Sequence, residues 1–287
     1  MEKGNERPGT LSGAVEGEGV RRTIIVFAAL LLAASSFAAM FGLWAESRVV
    51  DRAAFVESSL VSFGSPGSDE ALGEVMASKV VDRYPALSLF ESVLRVIFSA
   101  LVATEEFAPA LDEVANEVHD AVIGGTGQPI VIDLAVYEDA IVGSVTALSP
   151  ELAALIPPEV FTTFVVFDAD EVPDASGAAN ALVAVAWVSV VIAVAMVLLI
   201  MLYARDAALA FAAIGGALMI AALGIGVMVP LGRDAAGTST TSDAYRVLSR
   251  NLYDVLVQPL TARALLVGLA GAAMLVVAAV AWSAQRR

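Results

Sequence analysis

The sequence predicts a mainly α protein: a four-helix transmembrane bundle with a mostly helical domain inserted between the first and second membrane spans. Three observations predict this architecture. The chain is 58% hydrophobic and contains uninterrupted apolar runs of 22 to 25 residues, and about 20 such residues in a helix cross the ~30 Å hydrocarbon core. Between positions 45 and 181 it carries 23 acidic but only 5 basic residues. Apolar residues recur at helical spacing within that acidic section.

The clearest membrane signal lies between residues 181 and 231. Arg205 and Asp206 are the only charged residues in this stretch, and they separate an apolar run at 182–203 from another at 207–231. Lipid offers no hydrogen-bonding partner to an unpaired backbone group, so both runs are expected to be helical. The pattern predicts a transmembrane hairpin with its turn at 204–206.

The N-terminal region predicts a tail followed by a membrane anchor. Residues 1–22 are rich in Gly, Glu, Ser and Arg without hydrophobic periodicity, which indicates a disordered tail. Residues 23–44 form another apolar run, directly after Arg21 and Arg22. A cleaved signal peptide is the alternative, because the run contains the small-residue sequence Ala-Ser-Ser-Phe-Ala-Ala. Signal-peptide apolar regions span about 7–15 residues, so the longer run favours a retained first span.

Residues 45–181 form the one section large enough for a separate domain, and several helix starts can be read from it. Asp51 is predicted to open a helix, Ser68 to cap the next, and Ser88 with Glu91 to form a capping box. The helix predicted behind that box covers residues 89–103. Its apolar face consists of Leu94, Ile97, Phe98 and Leu101.

The second half of this domain predicts further helices and a short ribbon. A helix begins at Thr104 or Pro109 and is broken by the glycines at 124–127. The β-like runs 130–134 and 164–168 could pair as a two-stranded ribbon around a helix at 136–148. Ser149-Pro150-Glu151 indicates the start of another short helix. Asp170, Glu171 and Asp174 precede the hairpin, where acidic groups suit the positive end of a helix.

The C-terminal part predicts a loop, the fourth span and a short tail. Residues 232–260 form the loop, and within it an amphipathic helix starts at Ser242 and ends at Gln258-Pro259. That helix either lies at the membrane surface or docks on the larger domain. The fourth span is predicted at 261–282, followed by the tail 283–287.

The positions of the arginines predict the orientation. Arg21, Arg22, Arg205, Arg286 and Arg287 all fall on one side of a four-span layout, and basic residues are enriched on the cytoplasmic side of membrane proteins. Both termini are therefore expected in the cytoplasm of a multi-pass cell-membrane protein. Residues 45–181 and 232–260 are expected to be extracytoplasmic. Arg233 and Arg263 oppose this assignment.

Composition excludes several classes of site. The net charge of −15 makes nucleic-acid binding unexpected, because such binding needs basic residues to neutralise phosphate. The chain has no cysteine, so disulfides and thiol chemistry are excluded. His119 is the single histidine, which excludes a histidine-built metal site in one copy of the chain. None of the motifs Gly-x-Ser-x-Gly, His-Glu-x-x-His or a phosphate-cradling glycine loop occurs, and no catalytic residue and no cofactor are predicted.

The acidic residues give one weak metal hypothesis. Glu113 and Glu117 are one helical turn apart and Asp120 lies close by, so their carboxylates could face one hard cation. No calcium-loop spacing accompanies them. The alternative is a solvated charged face opposite the apolar side of the helix.

The expected partners are the lipid bilayer and other membrane or envelope proteins. Small residues at four-residue spacing allow close helix approach, either within the bundle or in self-association. They are Ala34 and Ala38, Ala208, Ala212 and Gly216, and Ala264, Gly268 and Ala272.

Several loose and mostly apolar motifs together resemble a protein family. They are Val49-Val-Asp-Arg-Ala-Ala-Phe-Val56 after the first run, the segment 107–119, Ile130-Val-Ile-Asp-Leu134, the hairpin, and Asp254-Val-Leu-Val-Gln-Pro-Leu260. From about Arg22 to the C-terminus the chain resembles a family of uncharacterised integral membrane proteins common in actinobacteria and their relatives. The resemblance implies four spans with one large outer helical domain, and it implies no activity, ligand or catalytic residue.

These observations lead to a functional expectation. The chain is expected to be a non-enzymatic envelope interaction, scaffold or accessory protein that acts through its extracytoplasmic domain. A membrane-bound hydrolase using outer carboxylates and a cation-responsive sensor are the alternatives.

Overall fold

Helices dominate the computed structural model, which confirms the mainly α class. The structure describes residues 10–132, 135–148, 150, 164–167, 174–238 and 242–286. The α-helices of this part are α1 Thr10–Ala45, α2 Arg52–Phe63, α3 Ser68–Arg83, α4 Glu91–Val102, α5 Ala108–Val122, α6 Glu138–Leu148, α7 Ser176–Tyr203, α8 Ala207–Thr238 and α9 Asp243–Gln285. A π-helical turn covers Glu46–Val50, and 3₁₀ turns cover Pro85–Phe90, Glu105–Phe107 and Ala135–Tyr137.

Five helical segments of the described chain are long and apolar enough to cross a membrane. Four of them contain the apolar runs at 23–44, 182–203, 207–231 and 261–282, as part of α1, α7, α8 and α9. The fifth is Pro85–Val102. Its α4 portion has 12 residues, about 18 Å, and falls short of the ~30 Å hydrocarbon core. Because its inner side is buried among other helices, α4 is a core helix of a folded domain.

The chain folds into two compact units. The apolar unit consists of Met1–Leu43, Ala184–Met228 and Leu260–Arg287. The acidic unit consists of Trp44–Val183 and Val229–Pro259, and its sequence holds 26 acidic and 8 basic residues.

The acidic unit is built around the pairing of α3 and α4. Gly73 makes this pairing close: a Cβ at that position would lie 2.6 Å from the Ser99 backbone nitrogen and 2.8 Å from the Arg95 carbonyl oxygen. The surrounding core is aromatic and aliphatic, as the sequence spacing predicts. Its fully buried members include Leu87, Leu94, Phe98, Phe107, Ile130 and Ile141.

A two-stranded antiparallel ribbon completes this unit. Strand β1, Ile130–Ile132, pairs with β2, Phe164–Phe167, and a register irregularity falls between Ile130 and Val131. The predicted pairing of the two β-like runs is thus confirmed, and α6 covers the helix predicted at 136–148. The short helix predicted at Ser149 lies almost wholly outside the described residues, and Asp170 and Glu171 lie outside them too.

The predicted helix starts are correct in part. The Asp51 carboxylate caps α2 by accepting a hydrogen bond of 2.9 Å from the Ala54 N–H. Gly67, at φ +79°, is the N-cap of α3, and the Ser68 hydroxyl donates instead to the Ser62 carbonyl at 2.8 Å. The capping box at Ser88 is wrong. Ser88 lies inside the 3₁₀ turn that follows Pro85, and α4 begins after it without a side-chain cap.

Four helices extend beyond their predicted bounds. Helix α7 begins at Ser176, ahead of the apolar run predicted at 182–203. Helix α1 begins at Thr10, within the segment predicted as a tail, because extending an existing helix is easier than nucleating one. Helix α8 passes through Pro230 into the predicted loop. Helix α9 passes through Pro259, where the sequence predicts an end. Proline removes one backbone hydrogen bond, but the long flanking segments keep the helix continuous.

The start of α9 belongs to the acidic unit and packs against α3, in agreement with the predicted docking of the amphipathic helix on the larger domain. Tyr245 and Leu248 pack against a buried cluster formed by Ala71 and Val75 of α3 together with Ala244. The Asn251 side chain donates a hydrogen bond of 2.9 Å to the Ser68 hydroxyl.

In the apolar unit, glycines bring α8 and α9 together. A Cβ on Gly215 would lie 2.7 Å from the Gly271 carbonyl oxygen, and a Cβ on Gly271 would lie 2.7 Å from the Gly215 carbonyl oxygen. These glycines are direct neighbours of Gly216 and Ala272 in the predicted small-residue rows. The turn between α7 and α8 is set by Asp206, whose carboxylate accepts a hydrogen bond of 2.8 Å from the Leu209 N–H.

Candidate functional site

The predicted cation ligands lie on α5, and two of the three are held by protein groups. Glu113 is exposed. The Glu117 carboxylate accepts a hydrogen bond of 2.9 Å from the Val131 N–H, which ties α5 to β1. Asp120 forms an ion pair with Arg52 across the α2–α5 contact. Glu117 and Asp120 therefore stabilise packing between elements.

His119, which the sequence identifies only as the lone histidine, is buried in the same contact. Its side chain is 9% exposed, and its ring lies 5.4 Å from that of Phe55. Nε2 is 3.0 Å from the Val50 carbonyl oxygen, whereas Nδ1 lies 3.8 Å from an Asp120 carboxylate oxygen and makes no hydrogen bond within the described structure. His119 thus links α5 to the π-helical turn that precedes α2.

Among the described residues, no group of three or more His, Asp or Glu side chains is arranged to hold a metal ion. The cation hypothesis for Glu113, Glu117 and Asp120 stays a prediction. The hydrogen bond of Glu117 and the ion pair of Asp120 give both carboxylates a structural role that does not require a bound ion.

A groove along α3 and α4 combines acidic and apolar groups on the surface of the acidic unit. It has a volume of about 530 Å³. Asp69, Glu70 and Glu74 line its α3 side, while Val96, Ala100 and Ala103 are among the residues on its α4 side. Arg95 is the one basic residue of the lining, and its guanidinium lies 4.0 Å from the Glu74 carboxylate. Three carboxylates against one guanidinium leave the groove with a net negative charge.

A second groove of about 530 Å³ adjoins the first. Asp69 and Ala103 line both grooves, so the two are neighbours near the end of α4. The second groove is more apolar, with Leu60, Phe63 and Leu111 in its wall. Together the grooves form one surface, here called the α3–α4 surface, in which apolar side chains stand beside carboxylates.

Two large apolar side chains are exposed along this part of the chain. Val96, in the groove wall, is 60% exposed, and Leu89, in the turn that leads into α4, is 89% exposed. On the opposite side of α4, Leu94, Ile97 and Phe98 are buried in the hydrophobic core. Apolar residues therefore occur on both the buried and the exposed sides of α4, whereas a surface helix usually carries one apolar stripe.

Sequence reasoning missed the α3–α4 surface because it assigned α4 a single apolar face. The available signal was the composition of α4 itself. Glu91 and Arg95 are its only charged residues, too few to cover the outward side of a helix on a water-exposed domain. The identity of the facing acidic residues could not be read without knowing that α3 pairs with α4.

Comparison with known protein families, curated proteins and solved structures finds no match for the chain.

Proposed function

We propose that the chain is a four-span integral membrane protein that acts as a non-enzymatic envelope interaction, scaffold or accessory protein through an extracytoplasmic acidic unit. The proposed spans are 23–44, 182–203, 207–231 and 261–282, with both termini in the cytoplasm. The apolar helices that contain these runs support the membrane placement. The arginines at 21, 22, 205 and 286–287 support the orientation, and the resemblance to the actinobacterial family agrees with this layout.

The α3–α4 surface is the proposed contact for the partner. The exposed Val96 beside the carboxylates of Asp69, Glu70 and Glu74 carries this proposal. Apolar side chains bury area on association, and complementary charge steers and selects the partner. The proposed partner is therefore an envelope protein that presents an apolar segment flanked by Lys or Arg.

Photocrosslinking in native membranes tests this role. A photoreactive phenylalanine analogue at position 96 should crosslink to a partner chain, whereas the same analogue at Val136, 81% exposed and outside both grooves, should not. The analogue at position 96 is then combined with the charge changes Asp69→Asn, Glu70→Gln and Glu74→Gln. These changes should reduce the yield of the crosslink at least about tenfold, because removing charges at the rim of an interface lowers the association rate.

A matched set of charge changes provides the control. Glu57→Gln, Asp82→Asn and Glu105→Gln remove the same three charges from exposed positions outside the grooves and should leave the crosslink intact. Equal loss in both sets would mean that overall charge, and not the α3–α4 surface, determines association. If every crosslink formed at position 96 also formed at position 136, or if none formed at position 96, the docking role would be contradicted.

A further inference from the structure

A cavity in the apolar unit opens between α1 and α8. Its volume is about 870 Å³, within the range of about 300–1,000 Å³ found for small-ligand sites. Its wall is apolar along most of its length. The residues that form this part include Ile25, Ala29 and Leu30 of α1 and Leu209, Ala213 and Ile220 of α8.

One end of the cavity is basic. Arg21, Arg22 and Arg205 line it together with Glu18, so three guanidiniums face one carboxylate. The Arg205 Nη1 atom lies 3.8 Å from the Glu18 Oε1 atom. Arg21 uses its Nε–H to donate a hydrogen bond of 2.7 Å to the Tyr203 carbonyl at the end of α7, which leaves its other donors available.

Arg22 is the arginine of the cavity with the fewest contacts to other protein groups. Its side chain makes no hydrogen bond and no ion pair within the described part of the chain, although it lines the cavity. Glu18 can offset only one of the three positive charges. An anion at this end would therefore meet a net positive charge and guanidinium groups that form bidentate hydrogen bonds to phosphate.

The length of the cavity, from its arginines to its apolar end, matches one membrane leaflet. The lining spans ten residues along α1, from Arg21 to Leu30, and twelve along α8, from Leu209 to Ile220. At 1.5 Å of rise per residue the two stretches are about 14 and 17 Å long. Half of the ~30 Å hydrocarbon core is about 15 Å. An acyl chain of one leaflet thus has the length to follow the groove while its headgroup stays at the arginines.

We propose that this cavity is a binding site for a phospholipid with an anionic headgroup. The arginines hold the phosphate and the groove between α1 and α8 holds an acyl chain. Basic pockets between transmembrane helices bind acidic lipid headgroups by this combination. The proposal rests on the membrane placement proposed above, but it depends neither on the orientation nor on the α3–α4 surface.

Gly216 gives the acyl part of the site a specific test. It lines the cavity, and a Cβ at this position would meet no atom within 4 Å. Gly216→Leu should therefore extend its side chain into the groove from a Cβ that meets no clash. Gly226 lies on the same helix, also has open space at its Cβ and does not line the cavity, so Gly226→Leu is the matched control.

The experiment is native mass spectrometry of the full chain, delipidated in a neutral detergent and titrated with phosphatidylglycerol or phosphatidylcholine of identical acyl chains. Each arginine contact with an anionic lipid is worth about fivefold in affinity. Phosphatidylglycerol should bind at least about tenfold more tightly than phosphatidylcholine. The double variant Arg22→Gln, Arg205→Gln should remove that preference. Arg263→Gln with Arg286→Gln, which changes two arginines of the same unit outside the cavity, should preserve it.

The acyl contribution is measured in the same titration. Gly216→Leu should weaken binding of phosphatidylglycerol at least about tenfold, and Gly226→Leu should not. Glycerol phosphate, which has the phosphate but no acyl chain, should fail to compete. Equal binding of the two lipids, equal effects of the two arginine pairs or of the two glycine variants, or competition by glycerol phosphate would each overturn the site. None of these outcomes bears on crosslinking at position 96, so the two proposals fail independently.

Discussion

Gly73 determines how closely α3 and α4 approach, and Gly73→Ala tests whether that approach shapes the acidic unit. The new Cβ would lie 2.2 Å from the Ser99 hydroxyl, 2.6 Å from the Ser99 nitrogen and 2.8 Å from the Arg95 carbonyl oxygen. The hydroxyl can rotate away, but the two backbone atoms cannot. Ordinary contact begins at 3.4 Å, so the helices must separate by about 0.8 Å.

Two opposing effects set the magnitude. Overpacking of this kind destabilises by about 1–3 kcal/mol, whereas alanine is favoured over glycine inside a helix by up to about 1 kcal/mol. Two clashes with backbone atoms place Gly73→Ala in the upper part of the overpacking range, about 2–3 kcal/mol. The net expectation is therefore a loss of about 1–2 kcal/mol. Such a loss corresponds to about a 5- to 30-fold change in an opening equilibrium.

Hydrogen–deuterium exchange of the full chain in detergent measures this opening locally. Amides of α3 and α4 should exchange faster in Gly73→Ala by the factor given above. Gly143→Ala on α6 is the control, because a Cβ there meets no atom within 4 Å, and its helix should exchange at the same rate or more slowly. Unchanged or slower exchange of α3 and α4 in Gly73→Ala would show that the backbone contact does not limit their packing.

The remaining predictions concern the α5 carboxylate, the apolar unit and the orientation. Glu117→Ala should lower stability in chemical denaturation by about 1 kcal/mol because the Val131 N–H loses its acceptor, while Glu117→Gln keeps an acceptor oxygen and should lose less; equal losses would contradict this contact. Millimolar Ca²⁺ should leave the melting temperature unchanged, and a shift removed by Glu117→Gln would instead support the cation hypothesis. Gly271→Leu should reduce the yield of monodisperse protein in detergent, since its Cβ meets a carbonyl oxygen of the facing helix at 2.7 Å; a normal yield and melting temperature would refute this. In intact cells an impermeant maleimide should label Leu89→Cys, with its 89% exposure, and label Ser283→Cys only after lysis; the reverse pattern would invert the proposed orientation.

Long apolar runs were the part of the fold that sequence alone could predict best. Each run at 23–44, 182–203, 207–231 and 261–282 lies within a helix. An apolar run of this length is predictable as helix because a backbone surrounded by lipid can satisfy its hydrogen bonds only within its own segment. The ribbon between 130–134 and 164–168 was also predictable, since both runs are rich in β-branched and aromatic residues.

Features that depend on contacts between distant segments could not be predicted. The 3₁₀ turn replaces the capping box at Ser88 because Leu87 is drawn into the core, a local preference overridden by packing. The close approach at Gly73 depends on Ser99 of another helix. The α3–α4 surface likewise combines carboxylates from one helix with apolar side chains from its neighbour, and neither helix carries the whole pattern.

The position of the groove carboxylates along α3 decides how their effect on binding should be tested. Asp69 and Glu70 lie in the first turn of α3, where negative charge stabilises a helix by about 0.3–1 kcal/mol per residue. Neutralising Asp69 and Glu70 therefore lowers the stability of α3 as well as weakening any contact with a basic partner. Glu74 lies beyond the first turn and has only the 4.0 Å contact with Arg95, an exposed pair that contributes at most about 1 kcal/mol. Glu74→Gln alone should therefore weaken the crosslink at position 96 while changing amide exchange in α3 by less than about fivefold. A weaker crosslink together with a larger increase in exchange would mean that Glu74 acts by stabilising the fold.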